Sequence, residues 1–235
     1  KEIKKNRSEI EKLFADAPPQ IDKIVKARNT ESIVDQIKDE FISDNLKFNL
    51  TPPNPIIIVG SKGAGKTTFI NYLFSKKFGL EANHPHVYID FRKYSGTKNN
   101  FENYIYNDIL EQVYNQYENL DLCSQKSLCS IYHREIRRNN QGIWKYDLEN
   151  NNDNYQSKLS IFLEDRLKDS ESHFFKLSDH LIKGRHIRLC IVIDNADQFD
   201  SEIQKTVFLF AQSLNKKGNI SIIIALREGY YYKWR

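Results

Sequence analysis

Apolar residues along this chain fall into two patterns, short continuous runs and longer stretches with helical spacing. Four β-branched runs have the length of buried strands. They cover residues 55–59, 86–91, 187–194 and 220–226. Between them, apolar positions recur at the spacing of helices packed on a core. These stretches cover residues 67–74, 101–117, 159–167, 174–182 and 201–218. Strands that alternate with helices predict a parallel sheet covered by helices, an α/β fold.

The segments outside this alternation predict the domain limits. Apolar residues at helical spacing, broken by Pro18 and Pro19, predict an N-terminal helical segment over residues 1–28. A second helix opens the main domain, which we assign to residues 29–235. Residues 118–156 are polar and rich in asparagine, and we interpret them as an insertion that is partly helical and partly a mobile loop. Gly184 and Gly218 are predicted to end the helices before them.

Composition excludes some classes of protein. With 40% hydrophobic and 28% charged residues and no apolar run of about 18 residues, the 235-residue chain is predicted to be soluble, with no membrane partner. The net charge of +4 permits nucleic-acid contact without indicating it. The basic run at residues 133–138 fits a solvated helix face better than a binding patch.

The cysteines and histidines indicate neither a disulfide framework nor a metal site. Cys123, Cys129 and Cys190 are too few for such a framework, which favours a reducing, cytoplasmic setting. His84 and His86 flank a proline, but two histidines without a carboxylate or thiolate rarely bind a metal. The chain begins with lysine and contains no methionine, so we expect it to be a piece of a longer polypeptide.

The stretch Gly-Ser-Lys-Gly-Ala-Gly-Lys-Thr at residues 60–67 matches the phosphate-binding pattern G-x-x-x-x-G-K-[ST] between a predicted strand and a predicted helix. Its glycines let backbone N–H groups turn towards phosphate oxygens, and the helix N-terminus adds partial positive charge. Lys66 is predicted to reach the β- and γ-phosphates, and the Thr67 hydroxyl is predicted to bind Mg²⁺. The predicted nucleotide contacts are Gly60, Ser61, Lys62, Gly63, Ala64, Gly65, Lys66, Thr67 and Thr68.

A phosphate-bound Mg²⁺ also needs an acidic group near Thr67, usually through water, because Mg²⁺ loses its waters reluctantly. Open α/β sheets bind ligands at the carboxyl ends of their strands. Asp194 ends the predicted strand at residues 187–194 and is therefore the expected Walker B carboxylate and the second metal-site residue.

The residue after this aspartate bears on hydrolysis. Many hydrolysing ATPases carry a glutamate there to orient or deprotonate water, whereas this chain has Asn195. An amide can hydrogen-bond a water but cannot take its proton. Asp197 is the nearest following carboxylate, so we expect hydrolysis either to be slow or to depend on Asp197.

Two arginines are further candidates. Arg227 ends the predicted strand at residues 220–226, and a polar residue at that strand end faces the γ-phosphate in related architectures. A nucleotide sensor and a plain surface arginine both stay open for it. Arg28 follows the apolar pair Ile24 and Val25, which is compatible with packing on the adenine ring, although an ordinary turn between helices is favoured.

With these residues the sequence resembles P-loop ATPases of the additional-strand class, nearest the STAND and AAA+ groups. The resemblance rests on residues 60–67, on the strand ending Asp194-Asn195-Ala196-Asp197 and on the strand ending Leu226-Arg227. It implies a three-layer α/β/α P-loop NTPase fold with strand order 5-1-4-3-2, a helical lid and self-association. The chain ends before a fifth strand and lid would follow, so we expect the domain to be incomplete at its C-terminus.

The function implied by this resemblance is an ATP-binding, slowly hydrolysing, STAND-like switch that couples ATP or ADP to conformational change or oligomerisation, with bacterial defence or signalling as one setting. ATP is preferred over GTP because residues 215–218 depart from the guanine-reading Asn-Lys-x-Asp pattern. A DNA-handling AAA+ ATPase, either a loader or a transposition helper, stays open as an alternative. A small-molecule kinase is less favoured because no arginine-rich lid is evident.

Overall fold

The computed structural model describes residues 24–26, 55–74, 85–94, 101–196 and 201–227. Within these residues the strands are β1 (Ile24–Lys26), β2 (Ile56–Gly60), β3 (His86–Asp90), β4 (Cys190–Asp194) and β5 (Ser221–Arg227). The helices are α1 (Lys66–Tyr72), α2 (Phe101–Gln116), α3 (Gln125–Ile131), α4 (His133–Gln141), α5 (Lys145–Asn150), α6 (Asn152–Lys168), α7 (Ser170–Arg185) and α8 (Ser201–Gly218). The predicted alternation of strands and helices around the P-loop is confirmed.

The strands form one sheet in the order β1-β2-β5-β4-β3. β2 pairs in parallel with both β1 and β5, and β5 pairs in parallel with β4. Counted from the P-loop strand as strand 1, the order of the last four is the predicted 1-4-3-2. The α/β P-loop fold is therefore confirmed.

The position beside β2, which the resemblance gives to a fifth strand, is taken by β1. Ile24 lies opposite Ile57 and Lys26 opposite Val59. The interpretation of this segment as a turn between helices is therefore wrong. Its β-branched Ile-Val pair suits a strand, but a run of three residues is too short for periodicity to identify. The two predicted N-terminal helices lie outside the described residues.

β4 and β5 form the centre of the core. All five residues of β4 are buried, as are the first five of β5. One face of the sheet packs on α1 in a cluster made of Ile56, Ile58, Ile70, Leu73, Phe74, Cys190, Val192, Ile223 and Ala225. Ile57, which points to the other face of β2, is also buried. Burial on both faces explains why β4 and the first part of β5 are continuous apolar runs rather than alternating ones.

The chain divides into two compact units. We call them the sheet unit, which contains β1, β2, β4, β5, α1, α8 and β3 from Tyr88 onwards, and the helical unit, which contains α2 to α7. In the helical unit, α7 packs against α2, α3 and α6. Its buried residues include Phe174, Leu177 and Leu181. The predicted domain boundary at residues 28 and 29 stays a prediction.

The interpretation of residues 118–156 as partly helical is confirmed, but the helices extend over most of the segment and leave no long loop. A short 3-10 turn, α3, α4, α5 and the start of α6 occupy the segment. Some of its polar residues cap helices. Ser124 caps α3 by accepting from Ser127 N–H at 3.2 Å, and Asn151 caps α6 by accepting from Asn154 N–H at 3.1 Å. The asparagine-rich composition that suggested a loop therefore reflects closely spaced helix ends.

Of the two predicted helix ends, the one at Gly218 is confirmed and the one at Gly184 is shifted by one residue. α7 continues through Gly184 to Arg185, and His186 takes the left-handed conformation with φ 55°. Gly218 is the last residue of α8, and Asn219 is left-handed with φ 50°. Histidine and asparagine are among the non-glycine residues enriched in this region of backbone space, so glycine was not needed at either turn. No described helix is long and apolar enough to cross a membrane.

Candidate nucleotide-binding site

The loop between β2 and α1 has the backbone that its glycines predict. Gly63 and Gly65 are left-handed, with φ 79° and 77°, and a Cβ added to either would meet nothing within 4 Å. Gly60 has little space for a side chain, because an added Cβ would lie 3.3 Å from the Cβ of Ala64. The loop is closed by a 3.2 Å hydrogen bond from the Ala64 N–H to the Ser61 carbonyl. The glycine positions therefore leave an open, tightly turned backbone.

Lys66 begins α1 and folds back over the loop. Its ammonium donates to the carbonyls of Gly60 at 3.0 Å and Ser61 at 3.1 Å. An ammonium group has three donors, so these two contacts leave a third for a ligand. The lysine is thus held beside the loop, and its contact with the β- and γ-phosphates stays a prediction.

Thr67 and Asp194 meet across the sheet unit. The Thr67 hydroxyl donates to Oδ2 of Asp194 at 2.6 Å. Asp194 ends β4 and is only 2% exposed. Because the hydroxyl proton is directed at the carboxylate, the lone pairs of Thr67 Oγ1 stay available to a cation. The structure therefore brings together the two residues that the sequence assigns to a metal.

Two more groups hold the same carboxylate. The Tyr88 hydroxyl on β3 donates to Oδ2 of Asp194, and the backbone N–H of Asn195 donates to Oδ1 at 2.8 Å. Burial, followed by the hydrogen bond to Asp194, raises the pKa of Tyr88 far above its ordinary value. Tyr88 is consequently a protonated donor at any physiological pH. Tyr88 was not among the site residues predicted from the sequence.

Asn195 connects the ends of two adjacent strands. Its backbone is left-handed, with φ 62°, and its side-chain amide donates to Oδ1 of Asp90 at 2.9 Å. Asp90 also accepts from Arg92, whose Nη2 lies 2.5 Å from Oδ2. Partial burial alone would raise the pKa of Asp90, but the hydrogen bonds from Arg92 and Asn195 lower it below its usual value. Asp90 is therefore an ionised carboxylate that already has several donors.

A signal for Tyr88 and Asp90 was present in the sequence. β3 alternates, with Val87 and Ile89 buried and His86, Tyr88 and Asp90 half-buried. Polar side chains on alternate positions of a strand share one face. Asp90 also ends its strand, as Asp194 ends β4. Neighbouring strands that both end in aspartate predict two carboxylates at one edge of the sheet.

The other predicted site residues are placed as follows. Arg227 is half-buried and lies opposite Gly60 in the β2–β5 register, so it stands beside the start of the P-loop. The exposed residues of the P-loop region include Ser61, Lys62, Ala64 and Thr68. Arg28 and Asp197 lie outside the described residues. Across the described ranges, no group of three or more histidine, cysteine, aspartate or glutamate side chains could hold a metal by itself.

The donor set fits a Mg²⁺–nucleotide. Mg²⁺ prefers oxygen ligands and keeps several waters, and the site offers the Thr67 hydroxyl with the Asp194 carboxylate behind it. A phosphate fits the open glycine backbone and the Lys66 ammonium. In such a site the protein would supply charge and orientation, and the metal would neutralise charge on the phosphates.

Comparison with known proteins identifies a P-loop domain. The family model described as "KAP family P-loop domain" matches residues 29–228. The matched stretch contains β2 to β5, the P-loop and Asp194. No curated protein matches the chain.

Proposed function

This chain belongs to the KAP family of P-loop domains, and from that premise we propose that it binds ATP with Mg²⁺, hydrolyses it slowly and acts as a nucleotide-dependent switch. The observation that carries the proposal is the 2.6 Å contact between Thr67 on the P-loop and Asp194 at the end of β4. A hydroxyl and a carboxylate joined in this way are what a phosphate-bound Mg²⁺ requires. Lys66 and the glycines of the loop supply the phosphate contacts.

Preference for adenine over guanine is supported by the hydrogen bond that Asn215, in residues 215–218, makes in the structure. The Asn215 side chain is buried, and its amide donates to the Ile220 carbonyl at 2.9 Å. This asparagine therefore supports the turn between α8 and β5. A guanine-reading asparagine would have to present that amide to a base instead.

Slow turnover is supported by the surroundings of Asp194. The Asn195 side chain cannot accept a proton from water, and its amide donates to Asp90. Asp90 is a weak base, because Arg92 and Asn195 lower its pKa. Asp197 remains the candidate for polarising the attacking water. A domain that binds nucleotide securely and hydrolyses it slowly suits a switch better than a motor.

The position of Arg227 supports the proposed role as a switch. This residue ends β5 directly opposite Gly60, where β2 passes into the P-loop. A guanidinium at this place can respond to the charge of the terminal phosphate. We propose that this response is transmitted as in STAND proteins, through conformational change and self-association of the longer protein.

The test is nucleotide binding by the full chain, measured by titration with fluorescently labelled ATP and Mg²⁺. We expect Lys66→Ala to weaken binding by at least about tenfold, since a hydrogen bond to a charged group contributes roughly 1.5–3 kcal/mol. Lys205→Ala, which removes an exposed lysine on α8, is the matched control and should bind as the wild type does. Unlabelled ATP should compete better than GTP. Equal binding by wild type and Lys66→Ala would refute the proposal.

A further inference from the structure

Tyr88 and Thr67 donate hydrogen bonds to the same carboxylate oxygen of Asp194. Both hydroxyls donate to Oδ2 of Asp194, Thr67 at 2.6 Å. Tyr88 comes from β3, Thr67 from α1 and Asp194 from β4, so three separate elements of the sheet unit converge on this atom. No part of the P-loop pattern requires a tyrosine at this place.

Most of the hydrogen-bond acceptor positions of the Asp194 carboxylate are occupied. A carboxylate offers about four lone-pair positions, two on each oxygen. The hydroxyls of Thr67 and Tyr88 use both positions on Oδ2, and the N–H of Asn195 uses one on Oδ1. Since the group is 2% exposed, it cannot turn freely. Oδ2 is therefore closed to direct coordination of a cation as long as Tyr88 is in place.

We propose that Tyr88 is a positioning residue that fixes the carboxylate of Asp194 so that it serves a nucleotide-bound Mg²⁺ through water. This inference rests on the proposed function. It implies that Tyr88 on β3 contributes to the preference of the site for one metal ion over another. Mg²⁺ keeps several waters in proteins, whereas Ca²⁺ takes six to eight oxygen ligands, carboxylates among them, in flexible geometry. A carboxylate whose Oδ2 is occupied by two hydroxyl donors thus favours the smaller, hydrated ion.

A role as a proton donor or acceptor in the reaction fits Tyr88 less well. The hydroxyl proton of Tyr88 is directed at Oδ2 of Asp194. Orientation of the carboxylate is what such a donor can provide, because groups that hydrogen-bond a metal-site residue commonly change metal affinity about 10–100-fold when they are removed.

The test is the metal dependence of labelled-ATP binding in Tyr88→Phe, which removes only the hydroxyl. Binding is measured in EDTA, then in titrations with Mg²⁺ and with Ca²⁺. We expect affinity in EDTA to be unchanged and the half-saturating Mg²⁺ concentration to rise about tenfold. The preference for Mg²⁺ over Ca²⁺ should fall, since Oδ2 becomes open to direct coordination. Tyr146→Phe, which alters an exposed tyrosine of the helical unit, should behave as the wild type.

Three outcomes separate this inference from the proposed function. If the wild type binds ATP and Tyr88→Phe shows the same Mg²⁺ dependence, the inference is wrong and the function stands. If the wild type binds no nucleotide at any Mg²⁺ concentration, both are wrong. A double-mutant cycle with Asp194→Asn guards against a general loss of fold. Tyr88→Phe should have little further effect on Mg²⁺ dependence when it is combined with Asp194→Asn. Fully additive effects of the two substitutions would contradict positioning through Asp194.

Discussion

The Thr67 hydroxyl donates a 2.6 Å hydrogen bond to Oδ2 of Asp194, although 127 positions separate the two residues in the chain. Thr67 follows the lysine of the P-loop, and Asp194 ends the strand that lies beyond β5 from β2. The two residues come together because β5 lies between β2 and β4 in the sheet. The contact is the point at which the phosphate-binding loop and the acidic strand become one site.

Replacing Thr67 with valine should weaken Mg²⁺-dependent nucleotide binding by about 10–100-fold. Valine has nearly the shape of threonine but lacks the hydroxyl that contacts Asp194. Thr67→Ser keeps the hydroxyl and should stay close to the wild type. Affinities measured by titration with labelled ATP, in EDTA and in Mg²⁺, check this. If the valine variant lost affinity equally in both conditions, the hydroxyl would have no specific role toward the metal.

Alanine substitutions at two glycines should have opposite effects on stability. Gly65 is left-handed with φ 77°, so Gly65→Ala should destabilise the protein by about 1 kcal/mol. Gly184 lies inside α7, and its added Cβ would find ordinary contacts at 3.6 Å, so Gly184→Ala should stabilise by about 0.5–1 kcal/mol. Urea unfolding of both variants measures the free energies. A stabilising effect at Gly65 would contradict the left-handed loop.

Asn195→Asp should destabilise the sheet unit by about 1–3 kcal/mol near neutral pH. The exchange keeps the size of the side chain but turns the amide donor that faces Asp90 into a second carboxylate. Asn195→Gly removes the side chain, allows the left-handed backbone and adds no charge, so it should be less damaging. Urea unfolding at pH 7 and pH 5 checks this, because protonation of the carboxylate pair should reduce the penalty. Equal stability of the two variants would show that the amide does not hold Asp90.

His173 should make the helical unit sensitive to acid. Its Nδ1 lies 2.7 Å from the Tyr132 hydroxyl and its Nε2 contacts the Tyr114 hydroxyl. Burial lowers the pKa of His173 from 6.5 to about 4. Between these values the unfolded chain binds more protons than the folded one, so stability is complete above pH 6.5 and declines as the pH falls towards 4, by up to about 3 kcal/mol.

The measurement for His173 is the free energy of unfolding from pH 7 to pH 4. His173→Gln should reduce the slope in this range, because glutamine does not titrate. His133→Gln, at an exposed histidine of α4, is the control and should leave the slope as it is in the wild type. A slope that persists in His173→Gln would assign the acid sensitivity to other groups.

Local patterns were sufficient for much of the molecule. The left-handed glycines of the P-loop, the four apolar strands and the aspartate at the end of β4 depend on backbone sterics and on residue spacing, which a sequence displays directly. The same reasoning failed within residues 118–156, where helix ends lie close together. Ser124 caps α3 and Asn151 caps α6, and the polar character of this segment was interpreted partly as a loop. Capping residues and loop residues have the same composition, so only the fold separates them.

The sequence by itself determined that a phosphate-binding loop lies between a buried strand and a helix, and that Asp194 ends another buried strand. Only the tertiary structure decided that Ile24–Lys26 pairs beside β2, that Tyr88 and Thr67 share one oxygen of Asp194, and that Asn195 links Asp194 to Asp90. These contacts join segments that are distant in the chain. Their partners are chosen by strand order and packing, which no local pattern encodes, whereas loop geometry and strand character arise from the residues in place.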